Sequence, residues 1–199
     1  MEILDIDFGY LFENLAYHIE QAPLLYVLGF FIFFLILWSQ CRRSRKQKRH
    51  RRFIRAADRA LKRLDEALNT ENPGAVQFTI LRRVHHFTFE EMVLTALARK
   101  GLKIERSKQY TGDGGCDGKF WLNGSLCYIQ SKRYGKHINA SDVEDFADLC
   151  MRNRVKGIFC HTGKTGDKAK QSVTSSIEII SGSRLLDLFL KDEYSFRIE

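Results

Sequence analysis

Cys116-Asp117-Gly118-Lys119-Phe120-Trp121-Leu122-Asn123-Gly124-Ser125-Leu126-Cys127-Tyr128-Ile129-Gln130-Ser131-Lys132 reads as a β-hairpin. Asn123-Gly124 is the dipeptide of a type I′ turn, whose two central residues must tolerate positive φ. The spacing predicts one strand over residues 116–122 and an antiparallel return over Ser125–Lys132. Side chains alternate along a strand, so Gln130 and Lys132 share one face and Ser131 points away. Asp117 begins the partner strand, and counting back from the turn brings the two strand ends near each other.

Working outward, a Gly-rich turn, Gly112-Asp113-Gly114-Gly115, precedes the hairpin, and residues 102–106 alternate as a further strand. Upstream, Thr88-Phe89-Glu90-Glu91 fits a capping box with Thr88 at the N-cap and Glu91 at N3. It predicts a helix to about Lys100, closed by Gly101, with Phe89, Met92, Val93, Ala96 and Leu97 on its apolar face. Both carboxylates suit the helix dipole. Glu91 holds the capping position, which leaves Glu90 without a structural task.

Downstream, Ser141-Asp142-Val143-Glu144 reads as a second capping box opening a helix. A buried strand over 155–161, a short polar helix over 164–172, a strand at Ile177–Ile180 and an amphipathic helix over 183–191 complete the series. The order αβββαβ followed by αβα predicts an α/β sandwich with a mixed sheet.

A helix carboxylate, a strand carboxylate and a same-face Gln-x-Lys can converge on one divalent cation. Taken singly, the residues are ordinary: Asp and Gly are turn formers, and Lys commonly ends an edge strand. Together they make an oxygen-rich site suited to Mg²⁺, a hard ion that takes one or two carboxylates and completes its shell with substrate phosphate. Lys132 is placed to orient a water or to balance developing charge. His85 and His86 are adjacent and are expected to point apart. His161, at a strand end, is given no catalytic role.

At these residues the segment from about 87 to 190 resembles the Mrr-type restriction endonuclease domain, a branch of the PD-(D/E)xK nuclease superfamily. The matching pieces are Phe89-Glu90, Gly112-Asp113-Gly114-Gly115-Cys116-Asp117 and Ile129-Gln130-Ser131-Lys132-Arg133, with Ser141-Asp142-Val143-Glu144-Asp145-Phe146, Lys156-Gly157-Ile158-Phe159 and Ile177-Glu178-Ile179-Ile180-Ser181-Gly182 farther on. The resemblance implies a restriction-endonuclease-like αβββαβ sandwich and type IV-like, Mg²⁺- or Mn²⁺-dependent cleavage of DNA. It implies that Asp117 is the metal-binding carboxylate and Lys132 the catalytic lysine, with Glu90 assisting the metal. Gln130 stands as a further metal and catalytic position where many relatives carry an acid. Asp113 fits the motif too, but the family pattern favours the second Asp. A Gln there lowers the negative charge of the site. Arg133 and Lys136, in the loop that follows, are expected to touch DNA phosphates, with solvated surface charge as the plain alternative.

The rest of the chain points elsewhere. Residues 21–41 carry no charge, and from Leu24 to Trp38 the sequence is almost wholly apolar. As a helix this stretch covers about 30 Å, the thickness of a bilayer's hydrocarbon core. Residues 1–41 hold five acids and no Lys or Arg, while 42–55 hold nine Lys and Arg and no acid. The expectation is one transmembrane helix at 22–41, a short outer segment at 1–21 and a C-terminal domain in the cytoplasm. That makes the chain a single-pass protein of the cytoplasmic (inner) membrane, with the basic run 42–52 against anionic lipid. The net charge of +8 leaves only +4 on residues 56–199, so overall basicity says little about DNA.

Residues 42–74 are read as this basic run plus an amphipathic linker helix over 51–69, a spacer or a self-association element, ended by Asn72-Pro73-Gly74. The nuclease-like domain is placed at 75–199, its first residues, 75–86, fitting either strand or helix. Five cysteines with no CxxC pair give no zinc spacing and read as reduced thiols. Three functions follow as expectations. The first is a membrane-anchored, metal-dependent DNA endonuclease directed at foreign DNA. The second is a catalytically inactive nuclease fold that tethers DNA to the membrane. The third is a membrane assembly protein that forms a homo-oligomer.

Overall fold

The computed structural model describes residues 23–107, 115–171 and 175–198. The expected outer segment 1–21, Gly112, Asp113 and Gly114 lie outside the described residues. The chain divides into two compact units, residues 1–50 and 51–199.

Helix α1 runs through Pro23–Glu66, and a 3-10 turn follows at Ala67–Asn69. A break was expected between an apolar helix and a linker helix. Within α1, however, only Gly29 interrupts the helix formers and no Pro follows Pro23, so nothing in the chain stops the hydrogen-bond ladder. In the first unit Leu24, Val27 and Phe30 to Trp38 are all exposed. Among the described residues one helix is long and apolar enough to cross a membrane.

The second unit begins with the last turns of α1. There Ala57, Leu61 and Leu64 are buried in the main core. Full burial contributes about 2 kcal/mol for each leucine, so this apolar stripe is engaged within the unit itself. Asn72 then caps α2 (Pro73–Arg83), its Oδ1 accepting from the Ala75 N–H at 3.3 Å with Pro73 in the first turn. Residues 75–86, compatible with either element, are thus mostly helical. Gln77 donates to the Leu64 carbonyl at 3.0 Å and ties α2 to α1.

Helix α3 (His86–Arg99) starts earlier than the capping box predicted. His85 is the N-cap, its Nδ1 accepting from the Phe87 N–H at 3.2 Å, and Thr88 is buried inside the helix. Glu91 is only 1% exposed and pairs with Arg106 at 2.9 Å, a tertiary partner that local pattern does not reveal. The second capping box shifts in the same way. Helix α4 (Ala140–Asn153) is capped by Asn139, and Asp142 lies in its first turn.

Strands β1 (Ile104–Arg106), β2 (Gly118–Leu122), β3 (Ser125–Lys132), β4 (Lys156–His161) and β5 (Ile177–Ile180) form one sheet in that order. The first three are antiparallel, and β3, β4 and β5 are parallel. A short α5 (Asp167–Gln171) and α6 (Gly182–Leu190) complete the order expected from the sequence. Asn123 (φ 49°) and Gly124 (φ 80°) adopt the left-handed pair that the type I′ hairpin requires.

Two cores flank the sheet. On one face Phe120, Ile129, Ile158 and Ile180 pack against α1, α3 and α6. On the other, Phe159 and Ile177 pack against Val143 and Phe146 of α4. Helix α4 rests directly on β4: a Cβ at Gly157 would lie 2.7 Å from both Cys150 Sγ and Phe146 Cζ. Cys127, Cys150 and Cys160 are buried free thiols that fill core positions.

Candidate active site

The β2–β3 register begins with Gly118 opposite Ile129, and Asp117 lies just ahead of it. The Asp117 N–H donates to the Ile129 carbonyl at 2.9 Å. Its carboxylate Oδ2 accepts the Ser131 N–H at 2.5 Å, between Gln130 and Lys132 along the chain. A charge-assisted bond of this kind fixes the carboxylate against the strand end.

Alternation decides which face carries the rest. Cys127 and Ile129 belong to the α3-side core, while Tyr128 packs on the α4 side, so Gln130 and Lys132 follow Tyr128. Phe120 and Leu122 likewise face α3. Gln130 is 9% exposed, and among the described residues its buried Oε1 has no hydrogen-bond partner. The turn at Gly115 (φ +86°) covers the other end of that amide, an added Cβ there lying 3.7 Å from Gln130 Nε2.

Lys132 is held from α4. Its Nζ lies 2.5 Å from Asp142 Oδ1, and the Tyr134 hydroxyl donates to the other oxygen of Asp142. Burial pushes the Asp142 carboxyl up, but the bonds from Lys132 and Tyr134 and the Lys132 charge outweigh it and hold the group below its usual range. Burial, with Asp142 beside it, pushes the Tyr134 phenol well above its usual value. Thr162 at the end of β4 fastens Tyr134 in turn. Its Oγ1 donates to the Tyr134 carbonyl at 2.9 Å and accepts from the Tyr134 N–H at 3.0 Å. Sequence reading missed Asp142 and Tyr134 as neighbours of Lys132. Asp142 was absorbed into a cap pattern, and only the return of α4 across the sheet brings it back.

Glu90 sits half-buried in the second turn of α3, in the helix layer on the opposite face from α4. The bond to Ser131 thus brings Asp117 to the strand end that carries Gln130 and Lys132, whereas α3 carries Glu90 from the other layer. Arg133 turns toward that layer, where its guanidinium donates to the Arg82 carbonyl at the end of α2. Arg133 and Lys136 are both exposed. Among the described residues no three His, Cys, Asp or Glu form a metal-holding group. The donors at this strand end are one carboxylate and one amide oxygen.

His161 pairs with Lys132 across the β3–β4 register and is fully buried, with Nε2 3.1 Å from Thr165 Oγ1. Burial, partly offset by a hydrogen bond with the Gly163 backbone, lowers it to about 4. It is neutral at pH 7 and brings no charge to a phosphate. Its folded value lies below the unfolded value of about 6.5, so the unfolded state takes up the proton first as pH falls. Stability is expected to be lost progressively below pH about 6.5. The His161→Gln variant should flatten the decline between pH about 6.5 and 5, and thermal melts that show the same decline for both proteins would refute this.

A family model described as restriction endonuclease, Mrr_cat, matches residues 81–189. No curated protein and no solved structure matched the chain. The matched span runs from the end of α2 to the end of α6 and takes in the whole sheet with the Asp117–Gln130–Lys132 strand ends. With more than half of its length matched, the chain belongs to the Mrr_cat restriction endonuclease family, and its domain is a DNA nuclease domain of the restriction-endonuclease-like fold.

Proposed function

We propose that this protein is a membrane-anchored, divalent-metal-dependent DNA endonuclease that cuts foreign DNA. The observation that carries the reading is the buried, partnerless Gln130 Oε1 at the strand end where the Asp117 carboxylate takes the neighbouring Ser131 N–H. A buried acceptor without a donor costs about 1–3 kcal/mol, and a cation relieves that cost. Asp117 and Gln130 would hold Mg²⁺ or Mn²⁺ through oxygen, the donor type these hard ions take. Glu90 assists from α3. A divalent ion at this place supplies Lewis-acid polarisation of a phosphodiester oxygen.

The protein's own groups do the remaining work. Lys132, kept in one orientation by Asp142 and Tyr134, places a fixed positive charge where negative charge develops on the phosphate. Arg133 and Lys136 hold the flanking phosphates. In the anchored arrangement residues 1–21 lie outside, 22–41 span the bilayer, and 42–74 carry the basic run against anionic lipid. The nuclease domain, assigned to 75–199 with the 57–64 turns of α1 packed into its core, lies in the cytoplasm.

The test is direct. The purified full chain should nick and linearise supercoiled plasmid with Mg²⁺ or Mn²⁺ and leave it intact in EDTA. It should also sediment with membranes after alkaline washing, and deletion of 22–41 should release it. Plasmid bound but left intact in Mg²⁺ would reduce the protein to a DNA-tethering module. Release of the full chain by the wash would remove the anchor.

A further inference from the structure

A column of rings stands where α1 meets the start of α3. Phe53 stacks on His85 with centroids 5.1 Å apart and planes 26° apart, and His85 stacks on His86 at 4.2 Å and 27°. Phe87 closes the side of the column, 4.1 Å from His86 and 5.4 Å from Phe53. Adjacent histidines were expected to point apart. They do not, because His85 is the extended N-cap (φ −63°, ψ 144°) and His86 the first helical residue. The backbone turns between them and brings the rings face to face. Both histidines are exposed.

Phe53, His85 and Phe87 are accounted for as a contact that fastens α1 to α3. His86 is not, since it ends the column at the surface. Its surroundings are basic. Arg133, the residue after Lys132, reaches to this side of the sheet and bonds the Arg82 carbonyl, and Arg82 and Arg83 are exposed beside it. Burial, His85 and Arg133 all press His86 below its usual value, which keeps the ring neutral and its face available for stacking. Glu90 lies one helical turn beyond His86, at i+4, on the same side of α3. A strand leaving Lys132 over the end of the sheet therefore passes Arg133 and meets the ring column.

We propose that the Phe53–His85–His86 column is a stacking platform for an unpaired nucleobase, so that the preferred substrate carries a single-stranded overhang or displaced strand beside the cleavage position. This rests on the reading of Asp117, Gln130 and Lys132 as the cleavage site. Bases inside a duplex keep their faces against their neighbours, and only an unstacked base can add to the column. Stacking on an aromatic face is tolerant of sequence, so the platform selects DNA by shape.

The experiment uses the full chain in detergent with EDTA, which separates binding from cutting. Fluorescence anisotropy compares a blunt duplex with the same duplex bearing a short 2-aminopurine overhang. The overhang DNA is expected to bind about tenfold more tightly, the worth of one stacked base, with quenched 2-aminopurine emission. His86→Ala should abolish both the preference and the quenching, His86→Phe should keep both, and neither should change blunt-duplex affinity. Equal binding of the two DNAs by the wild-type chain, or a preference that survives His86→Ala, overturns the platform alone. So does rescue by His86→Lys but not by His86→Phe, which would mark a phosphate contact. Failure to bind either DNA overturns the platform and the cleavage-site reading together.

Discussion

Asp117→Asn should lower DNA cleavage by about a thousandfold, the scale of removing one group that stabilises the reacting charge, while DNA binding and the melting temperature stay close to wild type. The choice of Asn follows from the geometry. An Asn oxygen can still accept the Ser131 N–H that Asp117 Oδ2 takes at 2.5 Å, so the strand end keeps its shape and only the charge is removed. Lys132→Ala should be as severe. There the fold is protected because Asp142 retains the Tyr134 hydroxyl as a partner. Single-turnover assays at saturating DNA separate a loss in the chemical step from a loss in affinity. Cleavage that survives both substitutions would remove the proposed site, and unfolding of Asp117→Asn would show that the carboxylate is structural.

The second large effect is on stability. Glu178 on β5 is 4% exposed, and its carboxylate accepts from Arg184 and from the Arg197 N–H at 2.6 Å. Arg184 also donates to the Ser195 carbonyl at 3.1 Å and lies over the Tyr194 ring at 5.0 Å. One buried carboxylate thus fastens the C-terminal tail, whose Phe196 and Ile198 fill the α3-side core. Breaking a buried pair from one side leaves the remaining charge uncompensated, which costs about 3–5 kcal/mol. Because Arg184 is partly exposed, Glu178→Ala should fall near the lower end of that range, and Glu178→Gln should cost less by keeping an acceptor. Urea denaturation of the unit beginning at Arg51 measures it, and a loss below about 1 kcal/mol would mean that water screens the pair as at an exposed surface site.

These two carboxylates differ in how far the sequence announced them. Asp117 stood in a Gly-rich turn ahead of a hairpin whose register Asn123-Gly124 sets by itself, so its nearness to the Gln130–Lys132 strand end followed from counting. Glu178 lay in an apolar strand with its partners 6 and 19 residues away, across a helix and a tail. The capping boxes at Thr88 and Ser141 show the same limit from another side. Both segments are helical, but the caps belong to His85 and Asn139, and Glu91 and Asp142 pair with Arg106 and Lys132 across the fold.

What the residues settled alone is whatever depends on period, turn chemistry and composition: the order of strands and helices, the hairpin and its register, the common face of Gln130 and Lys132, and the long apolar helix. These are local, since each follows from backbone geometry over a few neighbouring residues. Only tertiary packing decided that Asp142 grips Lys132, that Glu90 comes from the opposite layer, that α1 runs unbroken with its last turns in the core, and that two histidines stack into a column. Each of those depends on elements meeting across the sheet, and no spacing along the chain encodes such a distance.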